Sequence, residues 1–126
     1  MLTNCLLVGL GGFIGAVARY LVYLLARAYS PIPFPIATLI VNTVGCFIVG
    51  ALSEIIEKHH PTHSSFILFA SVGVLGGFTT FSAFGLESIA FFRSQQMGLA
   101  VLNILANLML GLMAVLIGRW AFSNIF

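Results

Sequence analysis

The residue types that could do chemistry in this chain crowd into Gly73-Val74-Leu75-Gly76-Gly77-Phe78-Thr79-Thr80-Phe81-Ser82-Ala83-Phe84-Gly85. The run lies in what reads as the third membrane-spanning segment, yet it holds four glycines and the β-branched pair Thr79-Thr80. Each helical glycine costs about 1 kcal/mol relative to alanine, and the threonines add rotamer restriction. A helix through this run is predicted to break near the middle of the bilayer. Broken backbone persists at that depth only where protein or a water-lined cavity satisfies the freed N–H and C=O groups. The break therefore predicts a site. Phe81 and Phe84, beside Thr79, Thr80 and Ser82, suggest what it binds. A phenyl ring has a negative face and a positive edge, so ring edges can attract a small anion. A half-helix beginning near Thr79–Ser82 adds oriented N–H groups and a positive dipole end. With 12 phenylalanines in the chain, the competing explanation for these two is packing.

Other polar residues fall in apolar stretches. Thr38 and Asn42 are four apart, as are Asn103, Asn107 and Gly111, so each set shares one helix face. That spacing serves as hydrogen-bonding glue between helices or as a polar track along a passage. Two tracks facing a broken helix favour the passage, and asparagine N–H donors suit an anion. Arg19 either snorkels to the headgroups or stands as a fixed positive charge in an aqueous vestibule; the spacing leaves both open. Glu87 is read as marking where the third span nears water, with a lumen-facing role as the alternative. Glu54, Glu57, Lys58, His59, His60 and His63 read as a solvated connection rather than a metal site.

Gly9 to Gly15 superficially resembles a dinucleotide-binding loop, but the strand–turn–helix context and the acidic residue about 20 positions on are missing. Gly11 and Gly15 form instead a small-xxx-small pair suited to close helix packing in lipid. Cys5 and Cys46 read as small buried hydrophobes, not a disulfide. Nothing resembles a Ser-His-acid or Cys-His arrangement, so no enzyme is expected.

The elements that must position these residues follow from composition. Soluble domains are roughly 25% charged. This chain is 6% charged and 60% hydrophobic, with a mean hydropathy of +1.14, and is read as an integral membrane protein. A net charge of +2 from scattered basic residues excludes nucleic acid as a natural partner. Windows of about 20 apolar residues give four spans in a single domain, at about 2–25, 36–56, 65–92 and 97–122. Pro31, Pro33 and Pro35 mark the first connection, Ala26 to Phe34, and Arg93-Ser94-Gln95-Gln96 the last. Short connections make neighbouring helices antiparallel. Ala16-Val17-Ala18 looks like a cleavage site, but no Lys or Arg precedes the apolar run, so a retained first span is expected. Lys58 and Arg119 fall on one side of the membrane; Arg27 and Arg93 fall on the other, with Arg19 nearer to it. So even a balance of basic residues barely chooses an orientation, and predicts insertion both ways with antiparallel pairing.

Gly76-Gly77-Phe78-Thr79-Thr80-Phe81-Ser82-Ala83-Phe84 closely resembles the signature of the Fluc (CrcB-type) fluoride channels. Gly15-Ala16-Val17-Ala18-Arg19 is similar to that family's first-helix motif, and Val41-Asn42-Thr43-Val44-Gly45 to its second-helix asparagine motif. The likeness covers the whole chain; the third-helix run is its specific part. It implies an all-α membrane protein of four transmembrane helices with the third broken mid-membrane. It further implies an antiparallel, dual-topology homodimer with two pores in the prokaryotic plasma (inner) membrane, passively exporting fluoride from the cytoplasm. Its partners would be a second copy, membrane lipid and fluoride. Backbone carbonyls of Gly76 and Thr79 from both subunits would hold a structural Na+. Phe81, Phe84, Asn42, Ser82, Thr80, Asn103 and Asn107 would line the fluoride route, and Arg19 would be the vestibule arginine. The chain departs from the pattern at Ala83, where a hydroxyl residue is usual, and at Asn103 and Asn107, where Tyr and Ser are common. The rivals are a small proton-coupled multidrug transporter of four helices, which needs a carboxylate inside the bundle, and a non-transporting membrane assembly protein.

Overall fold

The computed structural model describes residues 1–59 and 65–123. Among them every regular element is helical: α1 (Leu2–Tyr29), α2 (Ile36–His59), α3 (Ser65–Ile67), a π-helical stretch Leu68–Leu75, α4 (Gly76–Phe78), α5 (Phe81–Arg93) and α6 (Met97–Ser123). Four segments are long and apolar enough to cross a membrane, at 2–29, 36–58, 65–93 and 97–123. The protein is a multi-pass membrane protein.

The proline cluster stops α1 later than expected. Only Ser30, which precedes Pro31, is pushed out of the helical region (φ −104°, ψ 111°), and its N–H still reaches the Ala26 carbonyl at 2.9 Å. Ala26 to Tyr29 therefore stay helical. Pro35 sits just ahead of α2, where its missing N–H costs nothing, and its carbonyl accepts from Leu39 N–H at 3.2 Å. The turn from α5 to α6 is closed by a left-handed cap. Gln95 (φ 62°) is the only non-glycine with positive φ among the described residues. Gln96 N–H reaches the Phe91 carbonyl at 2.9 Å and Gln95 N–H the Phe92 carbonyl at 3.2 Å, the paired bonds of a Schellman ending.

The third span is the irregular one. Its first part widens into i→i+5 turns over eight residues, where π-helix is usually a single turn. Thr79 (φ −80°, ψ 162°) and Thr80 (φ −153°, ψ 119°) are then extended, and α5 starts afresh at Phe81.

Packing pairs α1 with the π-helical stretch and α4, and α2 and α5 with α6. Glycines let the backbones touch. A Cβ at Gly11 would overlap the Phe69 carbonyl oxygen, one at Gly15 the Val74 carbonyl, and one at Gly50 the Val115 carbonyl. The interior is small and polar: of the three largest side chains with no exposure, Val41, Asn103 and Thr38, two carry hydrogen-bonding groups. The outer surface carries Leu21, Leu105, Leu116 and Ile117, as lipid contact requires.

Candidate functional site

The interruption at Thr79-Thr80 leaves backbone groups that a straight helix would pair internally, and side chains from two other helices, α1 and α2, meet them. Asn42 on α2 grips Thr80 from both sides of its amide: Thr80 N–H donates to Asn42 Oδ1 at 2.9 Å, and Asn42 Nδ2 donates to the Thr80 carbonyl at 3.1 Å. The Thr80 amide is thus turned away from the Gly76 carbonyl one turn back. Thr79 N–H and Oγ1 both donate to the Leu75 carbonyl, at 3.0 and 2.9 Å. Arg19 Nη1 on α1 donates to the Thr79 carbonyl at 3.3 Å. Thr80 caps α5, its Oγ1 accepting from Ala83 N–H at 3.2 Å with Ser82 Oγ 3.3 Å away.

The asparagines form one chain. Asn42 Nδ2 also donates to Asn107 Oδ1 at 2.9 Å, and Asn107 Nδ2 donates to the carbonyl and Oδ1 of Asn103 at 3.1 and 3.0 Å. Asn103 Nδ2 donates to Ser88 Oγ at 3.0 Å, and Ser88 in turn to the Phe84 carbonyl at 2.8 Å. Both protons of Asn42 Nδ2 are engaged in this way, so an anion reaching it competes with the Thr80 carbonyl and Asn107. The same residues that could line a track also act as glue between α2, α5 and α6.

Phe81 and Phe84 lie at the start of α5 with ring centroids 5.4 Å apart and planes inclined by 54°. Phe81 is 83% exposed in the single chain. Both rings border a cavity of about 580 Å³ that includes Asn42, Gly76, Thr79 and Asn107. A second cavity, of about 810 Å³, lies on the other side of the interruption, with Arg19, Arg27, Thr80 and Ser82 in its wall. Thr80 borders both. The structure therefore gathers Arg19, Asn42, Gly76, Thr79, Thr80, Phe81, Ser82, Phe84 and Asn107 around one junction, and joins Asn103 through Asn107.

Gly76 departs from expectation. Its backbone is helical (φ −61°, ψ −36°), and a Cβ built on it meets nothing closer than the Ser71 carbonyl oxygen at 4.0 Å. The extended residues are Thr79 and Thr80, so Gly76 is not where the chain unwinds. As to a hard cation, Gly76 and Thr79 present neutral backbone oxygens, the ligand type such an ion prefers. The Thr79 oxygen already receives a guanidinium N–H, and one chain supplies only part of a coordination shell. The donor set fits, given a second copy.

Glu87 is also not where its position suggested. Thr38 Oγ1 donates to Glu87 Oε1 at 2.6 Å, and Tyr23 OH lies 2.6 Å from Thr38 Oγ1. The carboxyl points into the bundle. Tyr23 was invisible as a partner because α1 approaches only in the folded chain; the one available signal was Thr38, one turn before Asn42. Glu54, Glu57 and Lys58 are likewise not in the connection itself, although Glu57 and Lys58 are exposed as expected. They ride the last turns of α2, where Arg119 makes a two-pronged contact with Glu57 at 2.8 and 2.7 Å and a 3.2 Å contact with Glu54. Lys58 Nζ donates to the Ser123 carbonyl at 2.7 Å. His60 and His63 lie outside the described residues. Among those described, no three His, Cys, Asp or Glu side chains cluster as a metal site.

Comparison with known proteins places residues 6–119 under a family model described as CrcB-like protein, Camphor Resistance (CrcB). A protein of Agrobacterium fabrum called a fluoride-specific ion channel, FluC, is 41% identical over 98% of both chains. One of the same name from Elusimicrobium minutum is 43% identical over 94% of this chain and 92% of its own. A third, from Ruminiclostridium cellulolyticum, is 39% identical over 92% of this chain and 89% of its own.

Proposed function

The chain belongs to the CrcB family, and on that premise we propose that it is a passive fluoride-selective channel of the bacterial inner membrane, working as an antiparallel dual-topology homodimer with two pores. It is a channel, not an enzyme. The observation that carries the proposal is the junction at Thr79-Thr80, where Asn42 holds an extended backbone and two phenyl rings in mutual contact border the cavity beside it.

In this proposal Arg19 and Arg27 raise the local anion concentration in their cavity, since a positive, low-dielectric cleft focuses field lines on a small anion. Ser82 and Thr80 offer hydroxyls at the mouth, and the edges of Phe81 and Phe84 replace hydration with a weakly positive apolar wall. Asn42, Asn107 and Asn103 supply N–H donors along α2 and α6, giving up contacts with one another as the anion passes. Fluoride leaves the cytoplasm down its own gradient. The interruption of the third span falls at mid-membrane depth in this arrangement.

A second copy is required on the face that carries Gly76, Phe81 and the 580 Å³ cavity. The Gly76 and Thr79 carbonyls of both copies would then hold a sodium ion. Bound there, the ion would supply a partner for the Gly76 carbonyl, whose usual donor Thr80 N–H is taken by Asn42, and would share the Thr79 carbonyl with Arg19. It does so without a buried carboxylate. Dual insertion is supported by the near balance of Lys58 and Arg119 against Arg19, Arg27 and Arg93.

Glu87 gives the proton-coupled transporter a carboxylate inside the bundle, which that rival requires. Flux from liposomes separates the two. Purified protein is expected to pass fluoride with no pH gradient; strict dependence on an imposed proton gradient, or organic-cation export with no fluoride flux, overturns the channel. For topology, C-terminal reporters are expected on both sides of the membrane. Two or three lysines added after residue 126 are expected to bias the orientation and lower activity, with recovery on co-expressing an oppositely biased copy. A one-sided reporter in the unmodified protein ends the dual-topology proposal.

A further inference from the structure

The cavity of about 810 Å³ beside α1 and α5 holds two arginines, Arg19 and Arg27, and no acidic residue in its wall. Yet a carboxylate sits on the neighbouring helical position: Glu87 lies one turn after Ala83 and directly after Leu86, both of which line the cavity. A glutamate drawn into that cavity would meet two arginines at membrane depth, where charges out of water are weakly screened. Glu87 Oε2 is buried with no hydrogen-bond partner among the described residues, so nothing on that oxygen opposes the move. Something must hold the carboxyl where it is.

The restraint is on the other oxygen. Thr38 Oγ1 donates to Glu87 Oε1 at 2.6 Å, and Thr38 has no exposure. A threonine hydroxyl has a single proton. With that proton on Glu87, Thr38 Oγ1 can only accept from Tyr23 OH, which stands 2.6 Å away. Tyr23 is also in the cavity wall. Its phenol thus fixes which way Thr38 points.

We propose that Tyr23 is a positioning residue for anion passage: through Thr38 it holds Glu87 out of the arginine-lined cavity and so keeps that cavity positive. The proposal rests on the channel reading for its transport consequence, but the contact itself does not. Without the phenol, Thr38 Oγ1 lacks the bond that orients it, its hold on Glu87 weakens, and the carboxylate can turn towards the cavity of Arg19 and Arg27. A cavity neutralised in that way no longer collects anions.

The test is Tyr23→Phe, which keeps the ring and removes only the hydroxyl. In liposomes containing purified protein, fluoride flux is expected to fall about fivefold to tenfold, the scale of one neutral hydrogen bond. Tyr23→Phe combined with Thr38→Val is expected to lose no more than Thr38→Val alone, because both act on the same carboxyl. The carboxyl infrared band of Glu87, identified by its loss in Glu87→Gln, is expected to shift in Tyr23→Phe. Unchanged flux in Tyr23→Phe overturns the proposal, as does a flux loss with an unshifted band, which would make the hydroxyl a matter of packing. Independent, multiplying effects of the two substitutions also overturn it. If the unsubstituted protein passes no fluoride at all, the channel fails, while the infrared comparison still decides whether Tyr23 sets the state of Glu87.

Discussion

The two faces of the third span use glycine in opposite ways. Towards α1, Gly73 and Gly77 lie in backbone contact: a Cβ on Gly77 would stand 2.5 Å from the Gly12 carbonyl oxygen and 3.1 Å from Ala16 N, and one on Gly73 2.9 Å from Gly11 Cα. On the opposite face Gly76 has open space, and Phe81 beyond it is 83% exposed. One face is a finished seam between helices of the same chain. The other has the chemistry and no neighbour. In water an exposed phenylalanine would be a liability; in lipid it is unremarkable, so exposure alone does not call for a partner. Open glycine whose carbonyl has lost the Thr80 N–H to Asn42 does, because lipid cannot satisfy polar backbone.

The sharpest way to break this contrast is to put the same methyl on each face. Gly77→Ala is expected to have the largest effect of any small substitution here. The atoms it meets are backbone atoms of α1, held by their own helix, and overpacking of that kind typically costs about 1–3 kcal/mol, occasionally more. We expect folded protein to fall severalfold, read as monodisperse yield in detergent. Normal yield and normal flux would show that the seam can open, and would remove the distinction between the two faces.

Phe81→Ile comes next. The substitution keeps an apolar side chain and deletes the ring edge, so it separates anion chemistry from packing. Flux is expected to fall by about tenfold or more, taking the upper range of ring interactions as a guide, with yield unchanged. Phe84→Ile is expected to behave alike, since the rings touch. Wild-type flux in both would reduce the open face to a lipid-facing surface.

Asn42 lies between the two regimes, because it works on structure and passage together. Asn42→Leu leaves the Thr80 N–H and carbonyl and Asn107 Oδ1 without their partner. At about 1 kcal/mol per neutral hydrogen bond, the loss is about 2–3 kcal/mol. Thermal unfolding in detergent checks it. A loss of flux with no change in stability would mean that the amide faces the route more than it holds Thr80.

Much of this arrangement was legible before folding. The four spans follow from hydropathy, and the trouble in the third from Gly76, Gly77, Thr79 and Thr80 occurring together. A half-helix starting near Thr79–Ser82 was expected, and α5 starts at Phe81; what could not be read was that Gly76 stays helical and what holds the break open. Glycine propensity pointed at Gly76, but the chain unwinds at Thr79 and Thr80, because Asn42 on another helix offers the Thr80 amide a better partner than the Gly76 carbonyl. The π-helical stretch Leu68–Leu75 has no signature in its residue types; it is expressed against α1. Glu57 and Arg119 are 62 positions apart, and their pairing depends on α2 lying along α6. Propensity is local, and each of these features was decided by a tertiary contact.

Gly76→Ala is expected to have the smallest effect on the chain and to say most about the open face. The backbone at Gly76 is already helical, so alanine meets no conformational penalty, and removing glycine from a helical turn gains up to about 1 kcal/mol. The new methyl finds nothing within the chain nearer than 4.0 Å. A protomer that works alone should therefore fold as well as before, or slightly better, with its cavity intact. A protomer whose Gly76 carbonyl meets a second copy should fold equally well and yet assemble poorly, because the methyl then stands where two backbones must approach. The measurement is a pair: unfolding temperature of the protomer, and the fraction of dimer at fixed protein-to-detergent ratio. Unchanged stability with dimer lost locates the interface at this face. Unchanged stability with dimer and flux both retained means that no backbone closes on Gly76, and the shared sodium site built from its carbonyl falls with it.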